Sequence, residues 1–289
     1  MKLIHKVEEC AVYESNKHSY VSKNSPLNTN HSIKTFLLKI TSSNTPEAAS
    51  TLLSTLVRWI KRAHAAAYNY TSTLIKLKAL KMIPLKTFIE NLHSPSSNMA
   101  GMEYTLTLKL LADIGTQLES IQLEHGLVIP FLSLEDIIVI ETRNDKDDYD
   151  YDKKEENADD RKYKSEHEYT FIFMNAEKLM KPVFPDSSKT KLNKKDLIVD
   201  IPLKVNKHTS FLPMELPESA LKRLPMRLTT MSWYYSLSTL CIYALLQYKF
   251  KNGEDDIERV GRPFLHTSLY FCLKRCLKSD PEERVLLYV

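Results

Sequence analysis

A chain of 289 residues with 43% hydrophobic and 26% charged residues has the make-up of a folded protein with one large domain or two lobes, not of a disordered polypeptide. The net charge of +4 is small but uneven: residues 1–92 hold 13 Lys+Arg against 5 Asp+Glu, so the remainder is acidic. A basic first third suits nucleic acid, an acidic membrane surface or an acidic partner, and a solvated surface is the plainer reading. Cys10, Cys241, Cys272 and Cys276 show no Cys-x-x-Cys spacing and no second pair to complete a zinc site, so with no leader peptide read at the start, a reducing compartment is expected. The uncharged run at 231–248 has the length of a membrane span but is threaded with Ser232, Tyr234, Tyr235, Ser236, Ser238 and Gln247, which points to a buried core helix.

In chain order, residues 3–7, 11–13 and 33–40 read as strands around a polar loop at 24–32. No glycine precedes Gly101, so no phosphate-cradling loop can be drawn in the first third: such a loop needs φ values that glycine alone adopts cheaply. The strand Phe36-Leu37-Leu38-Lys39-Ile40 carries a lysine, as many amphipathic strands do. Thr45-Pro46-Glu47 opens a helix over 45–68 with a cap, a first-turn proline and a first-turn acid. Leu52, Leu53, Leu56, Ile60, Ala63 and Ala67 form its inward stripe. Residues 74–83 read as a strand pair or one long strand, 84–92 as a connecting segment with a short helix, and 93–98 as a Ser/Pro/Asn-rich link. A helix over 102–124 turns Leu106, Leu110, Ile114, Leu118 and Ile121 inward, and Gly126 supplies a left-handed cap.

After His125-Gly126 come a short strand, a loop, and Glu135-Asp136 opening an apolar strand. Residues 144–168 hold 11 acids and 6 bases with few aliphatics; they cannot pack into a core and read as a charged, mobile insert at a hairpin tip, with an acidic recruitment tag as the other reading. A strand at 169–175 ends in Met174-Asn175-Ala176, and a Lys- and Pro-bearing segment with a phosphorylatable Asp186-Ser187-Ser188-Lys189 runs to Ser210. Then follow Phe211-Leu212-Pro213-Met214-Glu215-Leu216, Ser232-Trp233-Tyr234-Tyr235-Ser236-Leu237-Ser238, and Cys276-Leu277-Lys278-Ser279-Asp280-Pro281-Glu282-Glu283-Arg284.

From residue 33 onward these segments, in this order, resemble the protein kinase superfamily. The ending resembles the family's Cys-Leu-x-x-Asp-Pro-x-x-Arg, Glu215 its Ala-Pro-Glu, and the Ser232 segment its Ser-Asp-Val-Trp-Ser-Leu-Gly. The resemblance implies an α+β, two-lobed kinase-like fold: a β-rich N-lobe at 1–83, a hinge region at 84–92 and a helical C-lobe at 93–289. It also implies a buried structural ion pair between Glu215 and Arg284. Laid on His-Arg-Asp-Leu-Lys-Pro-Glu-Asn without a gap, the chain puts Ile129 at the His, Pro130 at the Arg, Phe131 at the catalytic Asp, Ser133 at the Lys and Asp136 at the metal-binding Asn. Lys39 falls at the lysine that contacts nucleotide phosphates, Asn175 at the magnesium-holding Asp, and Trp233 at the Asp that braces the loop.

Much of the site chemistry is missing from that pattern. Glu47 is the only acid between Lys39 and Glu90, and Arg58, Lys61 and Arg62 stand where the lysine's partner belongs. A phenyl ring accepts no proton, and an amide is a poor ligand for a hard cation. The resemblance therefore implies a pseudokinase with no intact catalytic residue and no cofactor, acting by binding another protein or by allosteric regulation. The alternative is a residual serine/threonine phosphotransferase or ATP-binding switch using Lys39 and Asp136, with ATP and Mg, and Asn175 as a second metal candidate. A nucleic-acid contact through Arg58, Lys61, Arg62, Lys76 and Lys78 of the basic first lobe ranks last. Divergent chains of this kind are similar to those encoded by large DNA viruses, which implies an intracellular, cytoplasmic setting (host cytoplasm or virion).

Overall fold

The computed structural model describes residues 1–15, 33–42, 46–63, 68–92, 101–143, 167–182, 196–199, 205–206, 208–216 and 226–286. The loop at 24–32, the link at 93–98, residues 144–166 of the charged insert and Asp186-Ser187-Ser188-Lys189 lie outside them. The architecture is mixed α+β, an antiparallel sheet first and helices later, compatible with a two-lobed division.

β1 (Lys2–Val7) and β2 (Cys10–Glu14) form a hairpin closed by Glu8 and Glu9 alone, with Glu8 at φ 48°. β3 (Lys34–Lys39), β4 (Tyr68–Tyr70) and β5 (Leu74–Ala79) complete a sheet of order β1-β2-β3-β5-β4. The period of two is clear: Phe36, Leu38, Ile75, Leu77 and Ala79 are buried while Lys39, Lys76 and Lys78 face solvent. α1 (Pro46–Ala63) lays Leu52, Leu56 and Ile60 on the core side of this sheet.

Leu80 alone separates β5 from β6 (Lys81–Pro84), which belongs to a second sheet, and its N–H donates to Glu141 O at 2.9 Å. The segment expected as a connector at 84–92 is the last residue of β6 followed by α2 (Leu85–Leu92). β7 (Leu132–Ser133) precedes β8 (Ile137–Arg143) and β9 (His167–Phe173), and the second sheet runs β6-β8-β9. His167 and Glu168, which composition assigned to the insert, pair with Arg143 and Thr142 in this ladder, because the β8–β9 register extends past the apolar run. Ile137 to Ile140 are all buried, as a central strand covered on both faces requires.

α3 (Tyr104–His125) ends at Gly126, φ 64°, whose N–H donates to Gln122 O. Ahead of α3 the chain crosses the end of α4 (Ser232–Leu246) closely: a Cβ on Gly101 would lie 2.0 Å from Leu245 O, and Met102 N donates to Ala244 O at 2.7 Å. α4 is apolar nearly all round and buried at most positions, the core helix read from 231–248. Among the described residues no helix is long and apolar enough to cross a membrane. β10 (Asp196–Val199) pairs with β12 (Met226–Thr229), and β11 (Ser210–Phe211) pairs with β7. α5 (Ile257–Val260) and α6 (Ser268–Cys276) close the chain. One apolar core runs from Val12 and Leu38 through Leu56, Ile138 and Phe171 to Leu237 and Leu273.

β9 is an edge strand, and α3 completes it with side chains. Asp113 Oδ2 accepts from Phe171 N at 3.0 Å, Gln117 Oε1 accepts from Phe173 N at 3.1 Å, and Gln117 Nε2 donates to Phe171 O at 2.8 Å. Burial pushes the Asp113 carboxyl up from 3.8 to about 6, against the pull of Lys109 and the Phe171 N–H. Between those values the native chain holds a proton that the unfolded chain releases, so stability falls as pH rises from about 4 to about 6 and stays lower above it. Asp113→Asn keeps an acceptor for Phe171 N without the titration. Relative to this variant, the natural chain is expected to lose up to about 3 kcal/mol across that window in urea unfolding. Parallel stability–pH curves for the two proteins would refute the assignment.

Candidate functional site

The loop between β7 and β8 is a 3₁₀ turn, Leu134–Asp136, built on a capping box: Ser133 N donates to Asp136 Oδ2 at 2.7 Å, and the Ser133 side chain accepts from the turn in return. Asp136 O accepts from Met174 N at 2.8 Å, so the β8–β9 hairpin brings the end of β9 against this turn. Beyond it Asn175 stands ahead of a second 3₁₀ turn, Ala176–Lys178, with its side chain free of the turn's own backbone. These constraints gather a polar cluster that is buried throughout. Asn175 Nδ2 donates to Asp136 Oδ1 at 2.7 Å, and Lys178 Nζ donates to Asp136 Oδ2 at 2.6 Å and to Ser133 Oγ at 2.9 Å. Ser133 Oγ also meets Ser210 Oγ of β11 at 2.8 Å, and the ammonium lies 4.1 Å from the centre of the Phe131 ring.

Asp136, 1% exposed, thus receives three N–H donors and one full positive charge from the chain itself. The kinase resemblance implies magnesium on Asp136 and Asn175. These residues do not fit it. Magnesium asks for near-octahedral oxygen ligation at about 2.1 Å; both Asp136 oxygens already face nitrogen donors, Asn175 turns its N–H toward the carboxylate, and the Lys178 charge repels a cation.

The other candidates lie outside this cluster. Lys39 is exposed on the solvent face of the first sheet, opposite Phe36 and Leu38, and no carboxylate among the described residues pairs with it. Glu47 pairs with Lys181 at 2.7 Å, both largely exposed. Arg58, one of the cations considered for nucleic acid, bonds Glu124 and Ser120 of α3; the side chains of Lys61 and Arg62 lie outside the described residues. The β1–β2 turn presents two glutamates and is tied down by Thr41 Oγ1 donating to Glu9 O at 2.6 Å. All four cysteines are buried and free, and burial pushes each thiol up, which removes them as nucleophiles.

Phe131 is fully buried and packs with Val128, Met180, Leu216 and Leu228, a small apolar cluster beside the main core. Trp233, at the position of the bracing aspartate, instead turns to α3 and donates Nε1 to Gln122 Oε1 at 2.8 Å. The brace comes from Ser236: its Oγ accepts from Leu132 N at 2.6 Å and donates to Phe211 O at 2.5 Å, joining α4 to β7 and β11. Neither Ser236 nor Lys178 was singled out from sequence. The strand expected at 169–175 ends at Phe173, so Asn175 falls in the turn that also carries Lys178 to Asp136.

Arg284 and Glu215 meet in a two-pronged ion pair, with NH2 to Oε2 at 2.9 Å and NH1 on Oε1. The guanidinium is fully buried, donates Nε to Lys278 O at 2.8 Å and lies 5.0 Å from the centre of the Tyr235 ring, while Ser232 Oγ holds Glu215 Oε1 at 2.7 Å. No family model and no curated protein matches this chain.

Two measurements follow from the burial. Lys178→Met leaves the Asp136 charge buried and unpaired and is expected to lower unfolding stability by about 3–5 kcal/mol, whereas Lys178→Met with Asp136→Asn recovers part of that loss. A single variant as stable as the natural chain would show that the cluster is not neutralised as described. Arg284→Ala is expected to lose a similar amount, about 3–5 kcal/mol, in urea or thermal unfolding; an unchanged midpoint would remove the ion pair from the list of structural supports.

Proposed function

We propose that this chain is a divergent member of the protein kinase superfamily, of the kind similar to those of large DNA viruses, and that it is a catalytically inactive pseudokinase working through protein–protein contact or allosteric regulation. One observation carries the inactive reading: the Asp136 carboxylate is closed by Lys178, Asn175 and the loop's own N–H. Phosphoryl transfer rests on positioning and on neutralising phosphate charge with metal ions. A carboxylate already paired with an ammonium and holding three N–H donors offers a metal ion little net charge. Phe131 adds to it, since a buried phenyl group cannot orient an acceptor hydroxyl, a contribution typically worth about 10²–10⁴-fold.

Support for the family comes from the order of elements, a five-stranded antiparallel sheet with a helix after its third strand, then a long helix, a loop–strand hairpin and a buried helix. The Glu215–Arg284 pair adds to it, joining the two motifs whose family counterparts pair in the same way. A residual transferase would need Lys39 and Asp136 to act on one nucleotide; the exposure of the first and the burial of the second speak against it.

The test is transfer of radiolabelled phosphate from ATP to protein substrates with magnesium or manganese, beside thermal unfolding at millimolar ATP. No transfer above background and no rise in unfolding temperature are expected with either metal. Transfer that Lys39→Met abolishes would overturn the proposal.

A further inference from the structure

Helices α1 and α3 meet along two polar stripes. Thr55, Arg58 and Trp59, at helical spacing, share one face of α1, and Thr116, Ser120 and Glu124, one turn apart in succession, share one face of α3. Arg58 closes the outer end of this seam. Its NH1 donates to Glu124 Oε1 at 2.9 Å and its NH2 to Ser120 Oγ at 3.0 Å, while Ser120 Oγ donates to the same carboxylate at 2.8 Å. Gln117, 1% exposed, stands at the inner end, with its amide engaged by Asp113 O and by the backbone of β9.

Between the two ends lies a cavity of about 50 Å³, lined by these residues. Two buried polar atoms on its α1 wall have no partner among the described residues: the hydroxyl oxygen of Thr55, a residue 3% exposed, and Trp59 Nε1. Buried polar groups left unbonded are costly and rare in folded proteins, and here two of them stand at one small cavity.

The chemistry of the walls selects the guest. An indole N–H only donates, so the guest must accept; the hydroxyls of Thr55, Thr116 and Ser120 both donate and accept, so a guest that does both is matched on every side. Arg58 and Glu124 are the only charged groups in the lining, and they neutralise each other at 2.7 Å, which leaves no call for an ion. The volume admits roughly one or two water molecules and nothing as large as an organic ligand.

We propose that the seam between α1 and α3 is a water-binding site, in which ordered water accepts from Trp59 Nε1 and shares hydrogen bonds with Thr55 on one side and the α3 hydroxyls on the other. A buried water typically makes about three hydrogen bonds, a number these groups supply. α1 is thereby mounted on α3 partly through solvent, and the site stands whether or not the chain transfers phosphate.

A crystal structure of the full chain at a resolution that shows ordered solvent is the direct test. A water within about 3 Å of Trp59 Nε1 and of an α3 hydroxyl is expected. The second test is the sign of a stability change. Val has nearly the shape of Thr, so Thr55→Val stabilises the fold if the hydroxyl is unbonded and destabilises it if the hydroxyl holds water. A thermal midpoint lower by about 2–4 °C is expected. An unchanged or raised midpoint overturns the proposal. So does a crystal structure with no solvent in the cavity, with an ion or larger molecule there, or with a protein acceptor on Trp59 Nε1.

Discussion

A carboxylate removed from water must be neutralised and hydrogen-bonded, and at Asp136 that requirement fixes the geometry of several segments together. The β7–β8 loop donates its Ser133 N–H, the turn after β9 donates Asn175 and Lys178, and Ser133 passes the contact to Ser210 of β11. Three segments far apart in sequence are thereby held as one block. The Phe131 ring under the ammonium belongs to the same arrangement: it shields Lys178 and packs against Met180 and Leu216, the flanks of the long segment that follows. The Phe131 ring thus seats the cation that neutralises Asp136.

The regular elements answer to ordinary secondary-structure rules, and those were legible in the sequence. The alternation around Lys39, the stripe Leu52–Leu56–Ile60 of α1, the Gly126 cap of α3 and the apolar length of α4 all lie where local pattern puts them. Glu215 and Arg284, 69 residues apart, were both named from their motifs, and they meet. What could not be read was the partner of the buried polar groups that no motif named. Ser236 stands 104 positions from Leu132, and Lys178 42 from Asp136; no local period encodes such pairings. Motif alignment set Trp233 where the family has its bracing aspartate and read the brace as lost; the Ser236 hydroxyl, three residues on, bonds Leu132 N while Trp233 bonds Gln122.

Polar side chains also do backbone work at the edge of the second sheet. Asp113 and Gln117, one turn apart on α3, offer acceptor, donor and acceptor to Phe171 N–H, Phe171 C=O and Phe173 N–H, as a neighbouring strand would. A helix so equipped closes an edge that would otherwise invite pairing with another chain. The arrangement keeps one ionisable group out of water, the source of its raised proton affinity.

The single residue Leu80 between β5 and β6 bears on motion. Two bodies can swing about a linker only if the linker has slack; here one peptide unit joins two sheets, and its own N–H is tied to Glu141 O. β1 reaches across as well, with His5 Nε2 bonded to Glu135 O at 2.8 Å. A clamshell that opens and shuts on a guest is therefore poorly suited to this chain. At this seam the two sheets are tied by a backbone bond and by a histidine, with no slack between them.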